Sequence, residues 1–164
     1  MINDHIWRYS IASICLFFSL GLSCVVAGSW DQLNGDHFII YYEGEGVYAR
    51  KVLRSAESYY EDIAERLGYS RYDNFWLWDN RCIIYLFETK KAYREQTGAF
   101  QWAGGHANLR EKIIYSYREQ PSFLNSTLPH EIAHLTLADY IGLKRTVSLW
   151  LHEGIAMMAE EEKK

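Results

Sequence analysis

Proline, cysteine and concentrated charge are what this chain lacks. Two prolines and three cysteines in 164 residues leave no material for a proline-rich linker or a disulfide framework. No run of Lys or Arg appears and the net charge is -4, so the electrostatic footprint of a nucleic-acid binder is missing. No internal repeat or low-complexity tract marks a second domain. What the chain has is apolar and aromatic material, 49% hydrophobic and 16% aromatic with 13 Tyr and 6 Trp. That is enough to bury a core without cross-links, and one globular domain is the expectation.

A long apolar run stands at the amino terminus. Ile11 to Val26 is uncharged, preceded by Arg8 and followed by the small residues Ala27 and Gly28, which is the layout of a secretory signal. Residues 1–27 read as a signal peptide cleaved after Ala27 or as a retained N-terminal anchor, and both readings stay open. Residues 28–164 are then expected outside the cytoplasm, whether periplasmic, secreted or anchored. Cleavage removes Cys15 and Cys24. Cys82, within the apolar run Cys82 to Phe87, reads as a core strand residue.

Periodicity lays out the rest. His37 to Tyr42 is β-branched and aromatic and reads as a strand ending in the turn Glu43 to Gly46, whose two glutamates argue against phosphate binding. From Val47 to Leu67 the positions Val52, Ala56, Tyr59, Ile63 and Leu67 recur at helical spacing, with Gly68 as the stop. Arg81 to Phe87 reads as a buried strand and Thr89 to Thr97 as a short helix closed by Gly98. Trp102 to Asn108 and Glu111 to Tyr117 suggest a hairpin at a sheet edge. A helical region opens at Pro121 and Ser122 and runs to Tyr140 with Gly142 as its stop, and Pro129 must lie in or near the first turn of the helix. A last helix is capped by Ser148 and carries Leu149 to Glu162.

The chemistry sits on these last two helices. His130-Glu131-Ile132-Ala133-His134 places two imidazoles one turn apart on a helix face, within reach of one metal ion. Glu131 projects about 100° away from His130, outside the ligand set and beside the position of a metal-activated water. Eighteen residues separate His134 from Glu153, which lies in Trp150-Leu151-His152-Glu153-Gly154-Ile155-Ala156. If the second helix returns across the first, Glu153 completes a site of two histidines and one glutamate with an open fourth position.

HExxH followed after eighteen residues by a Glu in a Trp-Leu-x-Glu-Gly-x-Ala segment resembles the gluzincin metallopeptidases, in particular the peptidase MA-like and aminopeptidase N-like groups. The resemblance covers roughly residues 36 to 160. It implies an α+β fold like the N-terminal subdomain of the zincins, a small sheet packed on the HExxH helix with a following helix that carries the third ligand. It implies one zinc ion held by His130, His134 and Glu153, with Glu131 as general base, in an enzyme that hydrolyses peptides or proteins. Two departures qualify this. Gly104-Gly105-His106-Ala107-Asn108 stands where aminopeptidases carry a glutamate for the free amino terminus, and Ala107 cannot bind an ammonium group. The C-terminal lobe that completes the cleft in gluzincins is also missing from this chain, so the alternatives are a fragment of a longer peptidase or a zinc-stabilised domain without activity.

Other residues carry blander expectations. His152 points away from Glu153 and reads as surface or as support behind a ligand. His106 reads as a turn cap, with contact to substrate as the alternative. Tyr115, Tyr117 and Tyr140 read as core, as do Met157 and Met158. Asp139, five positions after His134, is expected off the metal-binding face. A peptide is expected to lie along the strand near Gly104 to Asn108 by strand addition.

Overall fold

Alternation along three strands decides what each side of the sheet meets. In the computed structural model, which describes residues 30–68, 76–118, 120–142 and 147–160, the strands are β1 (Asp31–Asn34), β2 (Phe38–Tyr42), β3 (Cys82–Phe87), β4 (Gly105–Asn108) and β5 (Ile113–Tyr117). Their order is β1-β2-β3-β5-β4. β2, β3 and β5 run parallel, and β1 and β4 close the edges antiparallel. The central strands read as nearly unbroken apolar runs, with one face fully buried and the other partly covered.

Four helices accompany the sheet: α1 (Gly46–Arg66), α2 (Lys90–Thr97), α3 (Leu128–Ile141) and α4 (Leu149–Ala159). Phe38, Ile40, Cys82, Ile84, Leu86 and Ile114 point to one face of the sheet. There they form a single core with Val52, Ala56 and Ile63 of α1 and with Ile132, Ala133 and Leu135 of α3. Full burial of each such side chain stabilises by about 1.5–3 kcal/mol. On the opposite face Phe87 and Tyr117 meet Tyr93 of α2 in a smaller cluster. The chain is thus α+β with a small mixed five-stranded sheet, and the HExxH helix lies under it.

Local chemistry sets the ends. The Thr89 side chain accepts from the Ala92 N–H at 3.2 Å and starts α2, and Gly98 ends it at φ 69, a conformation that glycine adopts without a Cβ penalty. Pro129 lies in the first turn of α3, where its missing N–H breaks no bond. Gly105 is required by proximity, since a Cβ there would sit 2.9 Å from Thr127 Cγ2 and 3.0 Å from the Tyr115 carbonyl oxygen. That close approach holds β4 against the entry to α3.

Several expectations change. β1 has no strand signal in its sequence. The helical region after Pro121 opens as a widened π turn, Phe123–Thr127, before α3 begins, and this turn presents Ser126 towards α4. Ser148 caps α4 by backbone conformation only, and the helix ends at Ala159, with Glu160 extended at ψ 139, short of the expected Glu162. Tyr140, Met157 and Met158 are 54%, 66% and 75% exposed, which corrects their reading as core. Cys82 is fully buried, as expected. The apolar segment 1–27 lies outside the described residues. Among the described residues no helix is long and apolar enough to cross a membrane.

Candidate metal centre

Helical spacing brings the pentad's histidines together. His130 and His134 occupy successive turns of α3, and their Nε2 atoms are 3.0 Å apart. α4 returns across α3 and sets Glu153 against both: Oε2 lies 3.5 Å from His130 Nε2 and Oε1 lies 3.7 Å from His134 Nε2. One donor atom from each of the three residues falls within 4.8 Å of the others, a cluster that could hold a metal ion. The expected trio His130, His134 and Glu153 is therefore assembled.

Each histidine is held from behind. His130 Nδ1 lies 3.0 Å from Glu160 Oε1, and the other Glu160 oxygen accepts the Ser126 hydroxyl at 2.6 Å. A carboxylate at Nδ1 keeps the proton on that nitrogen and leaves the Nε2 lone pair facing the cluster. His134 Nδ1 meets His152 Nδ1 at 2.6 Å with the rings stacked at 29°, so His152 stands behind His134, on the side away from the cluster. Neither Glu160 nor Ser126 was singled out in the sequence. A signal for Glu160 existed, since it follows Glu153 by seven residues and two helical turns return a residue to the same face. Ser126 had none, because its role depends on the π turn.

Electrostatics divide the two groups that matter most. Burial, aided by the neighbouring His130 and His152, pushes His134 down to about 4 against the opposing pull of Glu153. Its imidazole is neutral near pH 7 and free to act as a ligand. Glu131 moves up from the usual carboxylate value because it is buried, although His130 and a hydrogen bond from the Ala107 backbone hold part of the shift back. A more basic carboxylate is better suited to accept a proton. Glu131, His134 and Glu153 line one cavity of about 340 Å³ with Ala107, Leu109 and His152.

The remaining candidates fall elsewhere. Asp139 accepts from Trp76 Nε1 and from Lys112 Nζ, both at 2.7 Å, and stays off the cluster. His106 lies within β4 rather than capping a turn, its ring stacked on Tyr115 and its Nδ1 2.8 Å from the Tyr93 hydroxyl. Tyr117 is buried, and Tyr115 is half-buried beside it. No protein-family model matches the sequence and no curated protein matches it significantly, so the reading of this site rests on its geometry.

Proposed function

We propose that the chain is a zinc peptidase of the gluzincin kind, hydrolysing peptide bonds with His130, His134 and Glu153 as zinc ligands and Glu131 as general base. One observation carries this reading: three donor atoms of the right chemistry converge beside a buried carboxylate that belongs to none of them. Ligands about 2.1 Å from one tetrahedral zinc lie about 3.4 Å from each other, and the separations here are 3.0, 3.5 and 3.7 Å. Two imidazole nitrogens at 3.0 Å repel through their lone pairs unless a proton or a cation lies between them. Bound zinc supplies Lewis acidity, acidifying water and polarising a carbonyl.

The chain's own residues do the rest. Glu131, made more basic by burial, takes the proton of the attacking water and delivers it to the leaving amine nitrogen. Ala107 orients that carboxylate through its backbone N–H. Glu160 and Ser126 fix the imidazole of His130, so that its Nε2 faces the ion.

A second reading has one observation in its favour. α4 buries a single residue, Ala156, so zinc in a domain without activity would serve to pin that helix. Glu131→Gln separates the two. On the peptidase reading it lowers kcat by about 10²–10⁴-fold while zinc content stays that of the wild type. Wild-type turnover in Glu131→Gln, or no hydrolysis of any peptide by the zinc-loaded wild type, rejects it.

A further inference from the structure

The cavity at the metal cluster shares a wall with a larger one. Side chains alternate across β4, so Ala107 faces Glu131 while His106 and Asn108 face the other side of the sheet. On that side the register aligns Tyr41, Tyr85, Tyr115 and His106 on four neighbouring strands. Their rings stand in a file, with centroids 5.2, 5.5 and 5.1 Å apart and successive planes inclined by 17°, 11° and 25°. Beside the file runs a trough of about 720 Å³, walled by Trp30 and by Gln96 and Thr97 of α2. Among the described residues no acidic or basic side chain other than His106 lines it.

The file ends at His106, on the edge strand of the sheet. The Tyr93 phenol, pushed up to about 12 by burial, stays protonated and shares a hydrogen bond of 2.8 Å with His106 Nδ1. Burial also favours the neutral imidazole. The ring is thereby fixed in position and uncharged. Beyond it β4 has no strand partner among the described residues. The Ala107 N–H bonds to Glu131, so the backbone at Ala107 is turned towards that free edge and the metal cluster.

A peptide laid along this edge must alternate as β4 does. Side chains next to Ala107 fall on the metal side, and the side chain next to His106 falls at the end of the ring file. Neighbouring strands lie about 4.8 Å apart, close to the spacing of the rings already present. We propose that the end of this file is a side-chain subsite, and that the protein selects peptides whose residue opposite His106 carries a planar uncharged ring, as in phenylalanine, tyrosine or tryptophan. This rests on the peptidase reading of the metal centre.

The test is a set of quenched fluorescent peptides, varied one position at a time, cleaved by the zinc-loaded full chain. One position is expected to favour a ring over alanine by about tenfold in kcat/KM, the scale of one stacked aromatic contact with its buried area. The preference should fall below about twofold in His106→Ala and return in His106→Phe, which restores a ring without the imidazole. If His106→Ala does not fold, the wild-type profile alone decides. Cleavage with no ring preference at any position, or with a preference for a charged side chain, overturns the subsite and leaves the peptidase reading intact. Absence of all cleavage overturns the peptidase reading, and binding of the same peptides by Glu131→Gln then judges the subsite separately. Tighter binding of ring-bearing peptides supports it, and equal affinity for ring and alanine peptides overturns it.

Discussion

α3 and α4 build one site on unequal foundations. α3 buries eight residues, among them Ile132, Ala133 and Leu135 against the sheet, whereas α4 buries Ala156 alone and turns Leu149, Trp150, Met157 and Met158 to solvent. His130, Glu131 and His134 are thus positioned by the hydrophobic core. Glu153 depends instead on polar ties across the helix pair, from Glu160 to His130 and Ser126 and from His152 to His134. The difference teaches that the two histidines of the cluster are set as soon as the core forms, while Glu153 is set by polar contacts between the helices.

That contrast is sharpest in stability. Ile132→Ala empties a fully buried position and is expected to cost about 2–5 kcal/mol. Met157→Ala on the exposed face of α4 should stay within about 0.5 kcal/mol. Urea unfolding of the two variants measures both, and equal losses would break the comparison.

The polar ties come next. Glu160→Gln keeps the shape of the side chain but weakens its hold on His130 Nδ1, and zinc affinity is expected to drop about 10–100-fold in a competition titration with a chelator. Affinity equal to that of the wild type would mean that Glu160 does not orient the ligand.

The response to pH bears on the same contrast. His134 is held at about 4 in the fold against an ordinary value of 6.5, so on acidification the unfolded chain takes up the proton first. Its contribution to the stability of the metal-free protein is complete above 6.5 and is lost as pH falls towards 4. Unfolding midpoints that rise as the pH is lowered from 6.5 to 4 would contradict that placement. Hydrolysis should also fade on the acid side at a pH above the ordinary carboxylate value of 4.5, because Glu131 is raised and works only when ionised. An acid limb at or below 4.5 would count against the buried base.

Much of this was legible in the residues. The helical period from Val52 to Ile63, the apolar runs of β2 and β3, Thr89 and Gly98 around α2, and the spacing of His130, His134 and Glu153 each follow from local chemistry. What escaped depends on partners distant in sequence. β1 is Asp-Gln-Leu-Asn, mostly exposed, and is a strand only because β2 offers it an edge. The sequence suggests a turn cap at His106, whereas pairing with Tyr115 keeps it extended. Met157 and Met158 were read as core from their side chains alone, but α4 touches the rest of the fold with one narrow face. Glu160 has a signal in its spacing from Glu153, but its partner depends on the return of α4 across α3, which brings it to His130.

Convergence of α3 and α4 on one ion is tested most directly by metal content. The purified chain and its His134→Ala variant are dialysed against zinc, washed free of loose metal and analysed by mass spectrometry. The account predicts stoichiometric zinc in the wild type and little or none in the variant. A wild-type protein without zinc, or the same zinc content in both, would contradict it.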